Sequence, residues 1–552
     1  MNKLFKEVIY LDEYYTFNVF YTMEGGMGKV SIGIISIENQ ETTNFLAIKR
    51  IKNNNKIDIE KFKNESQIWI SLKHPNIVKA LAFMEVNDEY CLIMEPVLPN
   101  KHEKNTLDNY LNDSLTLKQI LNWSIQFCYA MIYLNSNGVS IHRDIKPSNI
   151  MISDNILKVT DFGIAKAINI KEKNHIRLTG TLEYQAPETF EGEYTNKSDI
   201  YSWGIVLYQM INKGKLPYEL PKNIYDNPFE TQEIFFKDIH NKYNIPPSDT
   251  PLSKIICKCL NKNPLKRYNN FEEILNDLID IYGGLFNDKP YKPIIEEFTF
   301  QERILQINSL MELDKKEEAI SLLNSIEENK ERRHLLSYLY YKLGDIKKSL
   351  DLHRQIILNE PNNYEARYGY ATRLHETGNY LEAEVQYNIA LKIKPNDKKT
   401  LANLGNLIRD MYAYEEALTY YNKVLEIDSN FFMAKFNKAM TFIYMERYDD
   451  AEKIFDKLQD DKRYTKKFKL IKAIETSKIN QAKGSALLYN LKKEYPEDEE
   501  VLFQVAYFHF YYGRYETCLS ESNKVLEINP ENKKVKNLLK EVTILLRNNE
   551  EK

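Results

Sequence analysis

At 552 residues the chain is too long for a single core, and at about 150 residues per domain it predicts two to four units. Its 43% hydrophobic and 28% charged residues exclude a disordered chain, and a formal net charge of −4 excludes nucleic acid or an anionic membrane as the main partner. Five scattered cysteines (Cys91, Cys128, Cys257, Cys259, Cys518) make no disulfide framework and predict a reducing, cytoplasmic setting. Cys257-Lys258-Cys259 lacks the second ligand pair that zinc needs. The opening stretch MNKLFKEVIYLDEYY has no apolar core and no run of 18 apolar residues follows, so neither a leader nor a membrane span is expected.

From about residue 12 to 97, short runs at Phe17 to Thr22, Val30 to Ile35, Phe45 to Ile51 and Tyr90 to Met94 predict antiparallel strands. Between them Ile57 to Leu72 has helical spacing, which His74-Pro75-Asn76 stops. From about Leu117 long helical patterns dominate. The turn Glu24-Gly25-Gly26-Met27-Gly28-Lys29-Val30 joins the first two strands, and its glycines would let backbone N–H groups approach phosphate oxygens. A plain hairpin turn is the alternative. Val30 after Gly28-Lys29 excludes a P-loop, which needs Ser or Thr there.

Ile141-His142-Arg143-Asp144-Ile145-Lys146-Pro147-Ser148-Asn149 is followed by Asp161-Phe162-Gly163. Within roughly 20 residues this supplies an Asp for a hydroxyl proton, a Lys for a transferring phosphate, an Asn for metal and a second Asp for Mg2+. With Ala47-Ile48-Lys49 upstream, the set resembles the protein kinase family, in its bacterial-like Hanks-type serine/threonine branch.

The resemblance covers about residues 12 to 281 and implies a small lobe over about 12–97 and a helical lobe over about 98–281. It implies that Lys49 holds the α- and β-phosphates of ATP and pairs with Glu65, that Asp144 orients the acceptor hydroxyl, and that Lys146 neutralises the transferred group. Asn149 and Asp161 would hold Mg2+. The nucleotide-contacting set would be Gly25, Gly26, Gly28, Val30, Ala47, Lys49, Glu95, Val97 and Met151, with Met94 behind the adenine; Pro96 lacks an N–H, so Glu95 and Val97 must supply the adenine bonds. The chain departs from the family at Met23, where a first glycine stands, and at Trp69, where a smaller residue stands and the helix position could be biased.

Leu178-Thr179-Gly180-Thr181 through Pro187-Glu188 also resembles the serine/threonine branch. Thr181 would lie beside Asp144 and Lys146, and Thr179 is a candidate activating phosphosite opposite Arg143, an unmodified loop threonine being the alternative. Asp199 would support the catalytic loop and Arg267 would pair with Glu188.

After Tyr282-Gly283-Gly284 the composition shifts, marking a linker over 282–299. Pro361 and Pro395, Gly344 and Gly378, and Ala383, Ala417 and Ala451 recur at 34 residues, a period that resembles tetratricopeptide repeats. About seven units are expected over 300–532, starting near 300, 330, 364, 398, 432, 465 and 499, with a capping helix and tail over 533–552. The unit from 465 is poor, with Ser485 where Ala is expected. Asn403, Asn406 and Asn437 are candidates to bind an extended peptide in the groove of the array, incidental surface asparagines being the alternative.

The expected fold class is therefore an α+β two-lobed protein kinase fold followed by an all-α superhelical solenoid. The resemblance implies a cytoplasmic signalling serine/threonine kinase using ATP and Mg2+, whose repeats recruit protein substrates or regulators. Two competing expectations remain: an ATP-binding pseudokinase scaffold, favoured by Met23 and Trp69, and a kinase of small molecules.

Overall fold

The computed structural model describes residues 7–10, 15–24, 28–37, 40–51, 56–86, 89–100, 104–162, 181–243, 245, 249–326, 330–458, 466–529 and 532–550. The chain divides into two compact units, Met1–Glu327 and Glu328–Lys552.

In the first unit, β1 (Glu7–Tyr10), β2 (Tyr15–Glu24), β3 (Gly28–Ile37) and β4 (Gln40–Ile51) precede helix α1 (Lys56–Ile70), and β5 (Ala80–Val86) and β6 (Glu89–Met94) follow it. The sheet runs β1-β2-β3-β4-β6-β5, with every neighbouring pair antiparallel. Phe17, Val19, Ile48, Ala82, Val86, Cys91 and Ile93 form its core. Strands β1 and β5 were not foreseen. In Ala80–Val86 both faces carry buried residues, Ala82 and Phe83 in succession, which erases the alternation that marks a half-buried strand.

The helical lobe holds α2 (Leu107–Tyr110), α3 (Leu117–Ser136), the hairpin β7 (Ile150–Ser153) and β8 (Ile156–Val159), α4 (Asn196–Ile211), α5 (Phe229–Lys242), α6 (Ser253–Cys259) and α7 (Phe271–Leu285). Thr116 opens α3 with a capping box to Gln119, satisfying helix donors that would otherwise face nothing. Phe127 of α3 stacks on Trp203 of α4 with ring centroids 3.8 Å apart. The Arg267 guanidinium grips Glu188 bidentately at 2.6 and 2.9 Å, as the resemblance implied.

The expected linker starts late, because α7 continues through Gly283 and Gly284 to Leu285. Two further helices, α8 (Phe300–Glu312) and α9 (Lys316–Asn324), belong to the first compact unit, so its end falls well beyond the boundary expected at 281–300. The composition shift at 282 reports the end of one helical pattern, whereas the burial of α8 against the small lobe cannot be read from composition.

The second unit is a succession of helices: α10 (Lys330–Lys342), α11 (Ile346–Asn359), α12 (Tyr364–Glu376), α13 (Tyr380–Ile393), α14 (Lys398–Asp410), α15 (Tyr414–Ile427), α16 (Phe432–Tyr444), α17 (Tyr448–Leu458), α18 (Lys466–Ile479), α19 (Gln481–Glu494), α20 (Glu499–Tyr511), α21 (Tyr515–Ile528) and α22 (Lys533–Glu550). The turn after the first helix of a pair passes through the left-handed region at Gly378 (φ 78°), and at Tyr412 (φ 65°) and Glu446 (φ 61°) without glycine. Five residues further on stands a small buried residue: Ala383, Ala417 and Ala451.

Between α18 and α19 only Asn480 intervenes, so the turn is shorter and the small position falls on Gly484 instead of the expected Ser485. The approach there is the tightest of the unit's described glycines: a Cβ on Gly484 would lie 2.1 Å from the Ser477 Cα. Gly484→Ala is expected to destabilise the second unit by about 3 kcal/mol in urea unfolding, although Gly to Ala in an open helix stabilises. Gly378→Ala should cost about 1 kcal/mol, while Tyr412→Gly, at a site 79% exposed, should add about 0.5–1 kcal/mol by removing left-handed strain.

Candidate active site

Lys49 lies near the C-terminal end of β4, opposite Val30 of β3 on one side and Leu92 of β6 on the other. Its buried ammonium meets Glu65 Oε1 of α1 at 3.1 Å and Asp161 Oδ1 at 2.7 Å. Burial pulls the ammonium towards neutrality, but the charges of Asp161 and Glu65 outweigh it and hold the Lys49 pKa above the ordinary lysine value. Three segments far apart in sequence thus converge on one cation.

The Trp69 ring, fully buried, packs on Phe162 at 4.7 Å between centroids, and its Nε1–H donates to the Val78 carbonyl at 2.6 Å. Phe162 in turn meets the His142 ring edge-on at 6.1 Å. Trp69 therefore fills the space behind the Lys49–Glu65 pair without displacing α1, where the sequence left open that it would shift the helix.

Arg143 (φ 68°) and Asp161 (φ 54°) both adopt the left-handed backbone, a strain of about 1–3 kcal/mol each that the surroundings must hold. Asp199 of α4 supplies that hold for the catalytic loop: its carboxylate accepts from the His142 N–H at 2.6 Å and the Arg143 N–H at 2.9 Å. Burial pushes the Asp199 carboxyl up to about 7, against those two backbone donors. The loop then places Asp144, whose Oδ2 accepts from Asn149 Nδ2 at 3.0 Å and lies 3.1 Å from Lys146 Nζ. The same ammonium donates to Thr181 Oγ1 at 3.0 Å, which brings a short hydroxyl beside the Asp144 carboxylate.

The donor set suits a hard divalent cation. Asn149 commits its NH2 to the Asp144 carboxylate and carbonyl, so its side-chain carbonyl oxygen is the atom that could face a cation, and the Asp161 side chain is 41% exposed. Among the described residues no group of three or more His, Cys, Asp or Glu could hold a metal alone. A cation between Asn149 and Asp161 would therefore complete its shell with phosphate and water oxygens.

Val30 is half-buried, Ala47 is buried and Met151 lies half-buried on β7. Gly28 opens β3 opposite Ile51. The Glu95 N–H is committed to the Lys79 carbonyl at 2.9 Å, so its contribution to adenine would be its carbonyl oxygen, with the Val97 N–H as donor. The Glu95 carboxylate was not foreseen as a brace: it accepts from the Lys79 N–H at 2.8 Å and meets Lys158 Nζ at 2.7 Å. Gly25, Gly26, Gly163 and Thr179 lie outside the described residues.

Two of the asparagines expected to face a peptide are engaged within the array. Asn403 Nδ2 donates to the Tyr368 hydroxyl at 2.8 Å, and Asn406 Oδ1 accepts from the Tyr421 hydroxyl at 2.8 Å. Asn437 is buried, at 7% exposure.

Residues 22–278 match the protein kinase domain model and residues 399–431 a tetratricopeptide repeat model. The chain is similar to a Clostridium acetobutylicum protein named probable serine/threonine-protein kinase, 34% identical over 264 residues, covering 46% of this chain and 37% of that one. It is similar also to the serine/threonine-protein kinase PrkC of Bacillus subtilis, 32% identical over 288 residues, covering 50% of this chain and 41% of PrkC. The chain thus spans about two fifths of the length of these curated relatives. Among the described residues no helix is long and apolar enough to cross a membrane.

Asp199→Asn turns one of two acceptors into an NH2 group facing a backbone N–H. It is expected to cost about 1–3 kcal/mol of first-unit stability in urea unfolding and to speed hydrogen exchange at the His142 and Arg143 amides.

Proposed function

We propose that this chain, which carries a protein kinase domain of the serine/threonine type over residues 22–278 and tetratricopeptide repeats after it, transfers the γ-phosphoryl group of ATP to serine or threonine hydroxyls of proteins. The observation that carries this reading is the closed constellation in which Lys49 touches both Glu65 and Asp161 while Lys146 links Asp144 to Thr181.

In the proposed mechanism Lys49, fixed by Glu65, binds the α- and β-phosphates, and the Glu95 carbonyl and Val97 N–H orient the adenine. Asn149 and Asp161 would hold Mg2+, which would supply charge neutralisation at the phosphate oxygens. Asp144 accepts the hydrogen bond of the acceptor hydroxyl and takes its proton as the oxygen bonds to the γ-phosphorus, while the bond from that phosphorus to the β–γ bridging oxygen breaks and ADP leaves. Lys146 stabilises charge on the transferred group. Catalysis on this plan is positioning and electrostatics, and the held geometry of Asp144 is its main requirement. The hydroxyl of Thr181, joined to Asp144 through the Lys146 ammonium, supports a short side chain, Ser or Thr, as acceptor.

The pseudokinase alternative rested on Met23 and Trp69. Trp69 is accommodated with the Lys49–Glu65 pair closed, which removes its part of that support and leaves Met23. The repeats are read as a recruiting module for protein substrates or regulators, since tethering raises the local substrate concentration without new contacts at the cleft. The five cysteines are free, which supports a cytoplasmic setting.

Purified protein incubated with Mg2+ and labelled ATP is expected to incorporate label on Ser or Thr. Asp144→Asn should lower the rate by about 10²- to 10⁴-fold while retaining nucleotide binding. Asp161→Asn, or chelation of Mg2+, should abolish metal-dependent nucleotide binding as well as transfer. Bound nucleotide with no transfer from the wild type, to protein, peptide or its own chain, would sink the proposal.

A further inference from the structure

Helix α1 contributes Glu65, and its C-terminal end is where a swing of the helix would show. The last residues of the helix leave backbone carbonyls without helical partners. One of them, the Ile70 carbonyl, accepts from Gln306 Nε2 of α8 at 2.7 Å, and Gln306 is itself buried at 6% exposure. One turn further along α8, the fully buried Ser309 hydroxyl accepts from the Phe83 N–H at 2.9 Å. Phe83 belongs to β5, the edge of the sheet, where outward N–H groups lack a strand to pair with. Ile307 and Leu310, both buried, complete this face of α8.

At the start of α8, the Glu302 carboxylate bridges two lysines, Lys79 and, at 2.9 Å, Lys73, which stands shortly after α1. Burial opposes ionisation of Glu302, but the hydrogen bonds from Lys79 and Lys73 prevail and hold its pKa down at about 2. Lys73 also donates to the Glu297 carbonyl at 2.6 Å. Further back, Asp288 meets Lys118 of α3 at 2.7 Å. The segment from α7 to α8 is thereby fastened to both lobes by polar bonds that a merely adjacent helix would not need.

We propose that α8 is a built-in brace for α1: Glu302, Gln306 and Ser309 act as positioning residues that hold the end of α1 and the edge of β5 so that Glu65 stays on Lys49. The proposal rests on the kinase reading for its consequence, since Lys49 must be held to bind phosphate. Its geometry belongs to the first unit alone. A ligand or modification that loosened α8 would release Glu65 and lower the rate without touching the cleft.

The test compares the full chain with Gln306→Ala and with Glu302→Gln, which keeps the shape of the side chain and removes its charge. Hydrogen exchange is expected to quicken at the amides of 56–70, while α3 and α4 keep their protection. In phosphotransfer with ATP, kcat should fall about 10- to 100-fold, as for a small misplacement of a positioning group. The loss should be non-additive with Glu65→Gln, because both changes act through the same pair. Unchanged exchange in α1, exchange that quickens equally across the first unit, or losses that add with Glu65→Gln would each overturn the brace. A wild type that transfers no phosphate would overturn the kinase reading instead, and α1 protection would still decide the brace.

Discussion

The buried ammonium of Lys49 is the constraint on which the first unit turns. An isolated lysine at this depth would be driven towards neutrality, and only paired carboxylates keep it charged. The two that do so come from different places: Glu65 from a helix and Asp161 from the loop after β8. Satisfying one cation therefore fixes the sheet, α1 and the loop after β8 relative to one another. The geometry follows from the desolvation of a single charge.

Behind that cation the chain supports strained backbone with rigid groups. Arg143 and Asp161 hold left-handed conformations unaided by glycine, and the two N–H bonds to Asp199 keep the first of them in place. Asp199 sits on α4, which Trp203 locks to α3, so a packing contact far from the cleft stabilises the loop that carries Asp144. Trp69, Phe162 and His142 form a continuous aromatic stack between α1 and that loop. Strain at the site is compensated by burial elsewhere in the same lobe.

The second unit obeys a different rule, in which each helix pair repeats one turn and one close approach. Where the turn has its usual length, the left-handed residue and the small residue five positions later recur from Gly378 and Ala383 to Glu446 and Ala451. Where α18 and α19 are joined by Asn480 alone, the small position moves by one residue, and Gly484 takes it. Packing preserved the close approach at the expense of the period. The tyrosine hydroxyls on Asn403 and Asn406 show the same economy, since half-buried polar groups there are satisfied between neighbouring helices.

By itself the sequence determined the class of both parts and named residues that the fold then brings together. The cluster from Asp144 through Asn149 to Asp161 and the 34-residue spacing are patterns that survive in one dimension, whereas Lys49 and Glu65 were placed by the resemblance. The strand β5 was not legible because both its faces are buried, and the end of the first unit was not because α8 and α9 belong to it through tertiary packing. Nor could sequence show that Glu95 commits its N–H to Lys79, that Trp69 fits without displacing α1, or that α8 caps α1. These depend on which groups meet across hundreds of residues, as Gln306 meets Ile70, and only the tertiary fold decides which buried donor finds which acceptor.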